Sequence, residues 1–237
     1  MKKAALVTGA AKRIGQAIAL DLASQGYDIA LHYHHSEIEA RTTAVKIRKL
    51  KRRCELFPGN LASQSDVSSL LKNVLQEFPY LSVLMNSASV FEKSQLRTSS
   101  LEFFNKQFAV NFQTPYILSQ EFAKHCRSGQ IISLLDTHIT DYKTSYSDYL
   151  LTKKLLAEFT KLAACEFAPG IRVNAVAPGL ILPPEGKRDD YLKRLALNIP
   201  LKRKGTPRHI TQAVRFLIEN DYVTGQIIFV DGGEHLI

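Results

Sequence analysis

Long apolar runs are missing from this 237-residue sequence. No stretch approaches the roughly 18 residues a membrane helix needs, so a membrane-spanning role is not expected. The start, MKKAALVTGAAKRIG, carries two lysines, but its apolar part spans only Ala4 to Val7, too short for a secretory signal. Cysteine is scarce. Cys54, Cys126 and Cys165 are odd in number and far apart, so neither a disulfide framework nor a zinc site follows. A reducing cytoplasm is the simplest setting. Acidic residues are outnumbered, 22 against 31 Lys and Arg, giving a net charge of +9. Such a balance suits nucleic acid or anionic small molecules. The basic residues gather in KIRKLKRR (46–53) and along 186–208, with no interleaved aromatics and no zinc-finger spacing. A small-molecule partner is therefore expected rather than nucleic acid.

Linkers, repeats and low-complexity tracts are absent too, and 45% of the residues are hydrophobic, enough for one sizeable core. What is present alternates. Short apolar runs at 3–8, 28–33, 54–59, 81–86, 130–135, 171–177 and 226–231 read as strands. Between them, 14–25, 37–51, 65–77, 101–125, 147–167 and 207–219 have helical spacing. Alternating β and α elements with buried-type strands predict a doubly wound α/β fold, a parallel sheet with helices on both faces, as one domain over 1–237. Ligands bind such sheets at the carboxyl ends of the strands, where the strand order reverses.

The first strand leads into TGAAKRIG, where Gly9 and Gly15 bracket a turn before a helix. Glycine allows the tight turn, and the helix N-terminus offers N–H groups to a pyrophosphate. An ordinary βα turn would look similar, but its place after the first strand favours a dinucleotide site. The second strand ends in Tyr33, His34, His35 and Ser36, with no acid to grip a ribose 2′-hydroxyl. With Lys12 and Arg13 across the gap, imidazoles, cations and a hydroxyl suit a 2′-phosphate, so NADPH is expected over NADH. Metal binding is not expected, because strand alternation parts His32 and His34 from His35 and no carboxylate or thiol completes a set.

The segment SLLDTHITDYKTSYSDYLLTKK (133–154) holds three tyrosines. Only Tyr149 has a lysine four residues on, Lys153, which a helix places on the same face. A fixed ammonium lowers a phenol's pKa and would make Tyr149 a usable general acid. Such pairs also arise by chance on helices.

The glycine turn, the Tyr149–Lys153 helix and RVNAVAPG (172–179) together resemble the short-chain dehydrogenase/reductase family, along essentially the whole chain. The resemblance implies a seven-stranded Rossmann sheet, assembled as a homotetramer through helices matching 101–125 and 147–167. It places Asn111 at a catalytic-tetrad asparagine that anchors a proton-relay water. LMNSAS (84–89), with Asn86, Ser87 and Ala88, resembles the family's Asn-Asn-Ala-Gly strand end, Asn60 stands where an aspartate commonly contacts the adenine, and Ile14, Leu61, Lys153, Pro178 and Gly179 fall at cofactor positions. Departures from the pattern narrow the reading. Arg13 replaces the middle glycine of the turn, and Asp136 stands thirteen residues before Tyr149, where the family has a catalytic serine. Both resemble the pteridine reductases and the bacterial dihydromonapterin reductases. That likeness implies that Arg13 holds the NADPH phosphate, that Ser89 and Phe91 line a pterin pocket with Asp136 and Tyr149, and that Phe91 stacks on the pterin. The expected reaction is NADPH-dependent reduction of a pterin C=N bond. Reduction of a 3-ketoacyl thioester is the rival, and a non-catalytic NADPH sensor a more distant one. Segment 180–200, rich in proline and charge, is expected to be a loop that closes over substrate. Asp136 could also be a strand-end cap.

Overall fold

A computed structural model describes residues 2–184, 186 and 188–237. Seven strands form one parallel sheet: β1 (Ala4–Val7), β2 (Asp28–Tyr33), β3 (Cys54–Pro58), β4 (Leu81–Asn86), β5 (Gly129–Leu134), β6 (Ile171–Pro178) and β7 (Ile227–Val230). Their spatial order is β3-β2-β1-β4-β5-β6-β7. The order reverses between β1 and β4, so the crevice above their carboxyl ends is the expected ligand site. The strands read as continuous apolar runs because both faces are covered.

Helices α1 (Arg13–Ser24) and α2 (Glu37–Lys49) cover one face, joined by α8 (Pro207–Glu219). Ile18, Leu22, Ala44, Ile47, Val214 and Leu217 of these helices pack there against β1 and β2. The other face is covered by α3 (Gln64–Glu77), α5 (Thr114–His125) and α6 (Ser147–Glu166), through Leu71, Val74, Leu118, Phe122 and Ala163. Each fully buried leucine or phenylalanine contributes about 1.5–3 kcal/mol relative to exposure. Ser63 caps α3 by accepting from the Asp66 N–H, and Ser100 caps α4 (Leu101–Phe108) by accepting from Phe103.

Two expectations change. The single helix over 101–125 is broken by a π turn at Ala109–Gln113. Pro115 has no N–H to give the Asn111 carbonyl four residues back, and the ladder widens there. Segment 180–200 is not all loop, because Asp189–Ala196 forms α7, with Leu192 and Ala196 buried. Residues 185 and 187 of that segment lie outside the described residues.

Candidate active site

The turn after β1 is held by Thr8. Its Oγ1 accepts the N–H groups of Ser87 (2.9 Å) and Ala88 (3.1 Å), tying β1 to the end of β4. Gly9 has φ +64°, and a Cβ there would sit 2.9 Å from the Ala88 Cα. A Cβ on Gly15 would lie 2.3 Å from the Gly9 carbonyl. Both glycines are thus needed for β1, β4 and α1 to approach so closely. Helix α1 starts with no side-chain cap and no acid in its first turn, unlike α3 and α4. Its free N–H groups, including that of Ile14, suit an anion.

Arg13 departs from expectation. It adopts φ +59°, the left-handed region that a glycine would fill without cost. Its guanidinium donates to the Pro183 carbonyl at 2.7 Å, clasping the segment after β6 instead of standing free for a phosphate.

At the tip of β2, His34 and His35 are exposed, with ring centroids 3.5 Å apart and planes tilted by 34°, and Ser36 is the N-cap position of α2. Desolvation and the neighbouring His35 lower the His34 pKa, which favours its neutral form. Asn60, expected at the adenine, uses its Oδ1 to accept from the Ala62 N–H (3.0 Å), and its own N–H donates to Asp66 at 2.8 Å. Leu61 is buried, its carbonyl accepting from Thr114 at 2.7 Å. The Asn86 Nδ2 donates to Ser119 and Ser133, both at 3.4 Å, and its buried Oδ1 has no partner.

Asp136, Tyr149 and Lys153 meet above β5. The Tyr149 hydroxyl donates to Asp136 Oδ2 at 2.9 Å, while Asp136 Oδ1 accepts from the His138 N–H at 2.9 Å. The carboxyl therefore caps the following 3₁₀ turn and holds the phenol at once. The pKa expectation is reversed. Burial and the adjacent Asp136 carboxylate push the Tyr149 pKa well above its ordinary value. Lys153 does not offset this, because its ammonium is engaged with the Leu134 carbonyl at 2.8 Å and lies 5.7 Å from the Tyr149 ring centre. Burial lowers the Lys153 pKa to about 8.

Asn111 is completely buried in the π turn, and its amide is saturated. Oδ1 accepts from Ser89 (3.0 Å) and the Val90 N–H (2.9 Å), while Nδ2 donates to the Val90 carbonyl and Gln107. Its side chain is thus a brace for the segment after β4, and no side-chain donor or acceptor remains for a relay water. Ser89 is drawn onto the same brace. Phe91 stacks on Tyr146 at 4.4 Å and meets Tyr149 edge-on at 4.8 Å. One of its faces is already covered by Tyr146, so a flat substrate has only the other.

A family model describing enoyl-(acyl carrier protein) reductases, one of the short-chain dehydrogenase/reductase models, matches residues 9–235. The chain belongs to the short-chain dehydrogenase/reductase family. The 3-oxoacyl-[acyl-carrier-protein] reductase FabG of Staphylococcus epidermidis is 33% identical over 250 residues, covering 100% of both chains. Among solved structures, the FolM alternative dihydrofolate reductase 1 of Brucella canis, complexed with NADP, is 33% identical with a TM-score of 0.94. It covers 100% of this chain and 94% of its own. The corresponding Brucella suis structure, also with NADP, is 32% identical with a TM-score of 0.94, covering 99% and 95%. The chain is thus an oxidoreductase of a family whose members include carrier-linked and dihydrofolate-type reductases.

Within this short-chain dehydrogenase/reductase, Pro178 ends β6 and Gly179 follows it, the Gly179 N–H donating to the Val230 carbonyl at 3.2 Å. Several residues that build the site escape a motif-based reading. Asp148 is buried beside Tyr149, accepts a short hydrogen bond from Ser99, and its N–H donates to Ser94 at 3.0 Å. These contacts fasten 94–99 to the start of α6 and so keep Phe91 against Tyr149. Asp66 secures the turn after β3, and buried His32 contacts both Gly9 and Gly59. The Thr8 hydroxyl had a signal in TGAAKRIG; Asp148 and His32 lie far in sequence from what they hold. Among the described residues no group of three His, Cys, Asp or Glu could hold a metal, and no helix is long and apolar enough to cross a membrane.

Proposed function

We propose that this oxidoreductase uses NADPH to reduce a C=N bond of a pterin ring, with a dihydropterin as substrate. The hydrogen bond from Tyr149 to Asp136 carries the reading. A serine at this position would donate to a substrate carbonyl, whereas a carboxylate would repel the alkoxide formed there. The same carboxylate suits orienting a phenol that gives its proton to a ring nitrogen. Phe91, bordering Tyr149, supplies an apolar flat surface for a bicyclic ring.

The residues fit a phosphorylated dinucleotide. The uncapped first turn of α1, with Gly9, Gly15 and Ile14, would take the pyrophosphate. His34, His35 and Ser36, with no carboxylate at the strand tip, would face the 2′-phosphate. Arg13 would reach it only by leaving Pro183. Asn60, Leu61 and the backbones of 86–88 and 178–179 would border the adenosine and nicotinamide ends, the latter beside Lys153. The NADP in both Brucella structures, within a fold this chain shares, supports the cofactor. Bound NADPH supplies the hydride. Tyr149 gives its proton to the ring nitrogen, and the Lys153 ammonium stabilises the phenolate left behind. Asp136, fixed by the His138 N–H, relays to the phenolate oxygen a proton taken up from solvent. Asn111 holds Ser89 and Val90 in line beside the substrate.

The enzyme is proposed to act in the cytoplasm as a homotetramer. A second reading, reduction of a 3-ketoacyl thioester on an acidic carrier, draws on the likeness to FabG and on exposed Arg188, Arg194, Lys202, Arg203 and Arg208. A pure NADPH sensor would need no Asp136–Tyr149 hydrogen bond. NADPH oxidation by the purified enzyme, offered dihydromonapterin, dihydrobiopterin and a short 3-ketoacyl thioester in parallel, separates the three. Turnover with the dihydropterins alone is expected, and Asp136→Ser should abolish most of it. Turnover only with the thioester would overturn the pterin reading, and none with any substrate would favour the sensor.

A further inference from the structure

His32 lies on β2, on the sheet face that carries α3, and is 2% exposed. Its ring touches two turns. Nδ1 accepts from the Gly9 N–H at 3.2 Å, and Nε2 lies 3.2 Å from the Gly59 carbonyl. A carbonyl can only accept, so Nε2 carries the proton and Nδ1 the lone pair. One neutral tautomer satisfies both contacts. The backbone repeats the link: the Ala10 N–H donates to the His32 carbonyl at 2.9 Å, and the Gly59 N–H to that of Tyr33 at 3.0 Å. Gly9 opens the turn ahead of α1, and Gly59 precedes Asn60 at the tip of β3.

We propose that His32 is a positioning residue for the dinucleotide, a neutral strap that sets the separation of the turns after β1 and β3. It also consumes the Gly9 N–H, leaving the uncapped first turn of α1 to receive the anion. The proposal rests on the NADPH reading above. The groups that act on its charge are His34, two residues along the strand, and Asp66 in the first turn of α3, with opposite effects. Burial is the largest influence and lowers its pKa to about 4, so the strap stays neutral at physiological pH. Protonation would place a donor on Nδ1 facing the Gly9 donor and part the two turns.

The test joins a spectroscopic readout to binding. Nitrogen NMR of the histidine rings, recorded without nucleotide between about pH 5 and 8, should find His32 as the Nε2–H tautomer throughout. Fluorescence titration of NADPH and steady-state kinetics then compare wild type with His32→Phe and His32→Asn. Loss of one buried hydrogen-bond acceptor predicts a Kd for NADPH raised about tenfold in His32→Phe. At saturating NADPH its kcat should stay within about twofold of wild type, since the strap acts on binding. His32→Asn keeps an acceptor for the Gly9 N–H and should recover most of the loss. A proton on Nδ1, or titration near the ordinary histidine value of about 6.5, would overturn the strap. So would NADPH affinity unchanged in His32→Phe, or Phe and Asn variants losing affinity and kcat equally, which marks a general folding role. If His32→Phe does not fold, the wild-type tautomer and the Asn variant still decide. A wild type that binds neither NADPH nor NADH, with the tautomer intact, would overturn the nucleotide reading and this role with it.

Discussion

In the proposed reaction, Tyr149 must release a proton from surroundings that hold it more tightly than water does. Burial and the Asp136 carboxylate both raise its pKa, and the Lys153 ammonium is bonded to the Leu134 carbonyl rather than to the phenol. The phenol therefore serves as a proton donor only if the phenolate it becomes is stabilised at the moment of transfer, which is the role left to Lys153. The Lys153 pKa is lowered, so its charge is present below about 8 and lost as pH rises through that value. The expected outcome is a kcat that falls above about pH 8, a limb that Lys153→Met should remove along with most of the rate. Tyr149→Phe should lower kcat by roughly 10²–10⁴-fold and leave the Kd for NADPH unchanged. A rate that stays flat through that limb would show that the ammonium takes no part. The sequence spacing placed Lys153 one helical turn from Tyr149 correctly, yet spacing carries no information on burial or on the carbonyl that claims the ammonium.

Among the elements, the turn after β1 and the segment after β6 are joined by one side chain. Arg13 at φ +59° costs about 1–2 kcal/mol relative to glycine. The hydrogen bond its charged group makes to Pro183 is worth a comparable amount, less where solvent competes. The two nearly cancel, so Arg13→Gly should shift thermal stability by no more than about 1 kcal/mol in either direction. Its effect should fall on the segment beginning at Gly179. Limited proteolysis there should quicken in the variant, and NADPH should dissociate faster. Unchanged proteolysis and dissociation would mean that the clasp restrains nothing. Departure from the glycine pattern at Arg13 was plain in the sequence; its partner, 170 positions away, was not. The strands were legible for a different reason: a sheet covered on both faces needs apolar runs such as Ala4–Val7. Helix α7 was hidden by the prolines on either side and by a charged face that left only Leu192 and Ala196 to bury. The break at 109–113 had a sign in Pro115 that helical periodicity outweighed. His32 was visible as a strand residue, but its ring partners stand 23 and 27 positions away.

At the scale of the whole molecule, the outer surface of α4, α5 and α6 remains without a partner within the chain. Phe104, Phe108, Phe112, Tyr116 and Phe159 form a chain of ring contacts between 5.2 and 6.2 Å across these helices. Leu151, Leu155 and Leu162 of α6 are 49%, 41% and 70% exposed. Contiguous apolar surface of this kind marks an interface, and a closed symmetric assembly is the simplest way to cover it. The same helices carry the candidate site: α6 bears Tyr149 and Lys153, and the π turn bears Asn111. Covering them in an assembly would stiffen the site as well as hide the surface. Light scattering on a sizing column should therefore give a tetramer for the wild type. Leu155→Arg combined with Leu162→Arg should release smaller species, because each charge would be buried without a partner. Turnover should fall with dissociation and recover at protein concentrations that restore the tetramer, the signature of assembly acting on the site. A wild type that is monomeric yet fully active would rule out both the tetramer and its link to catalysis.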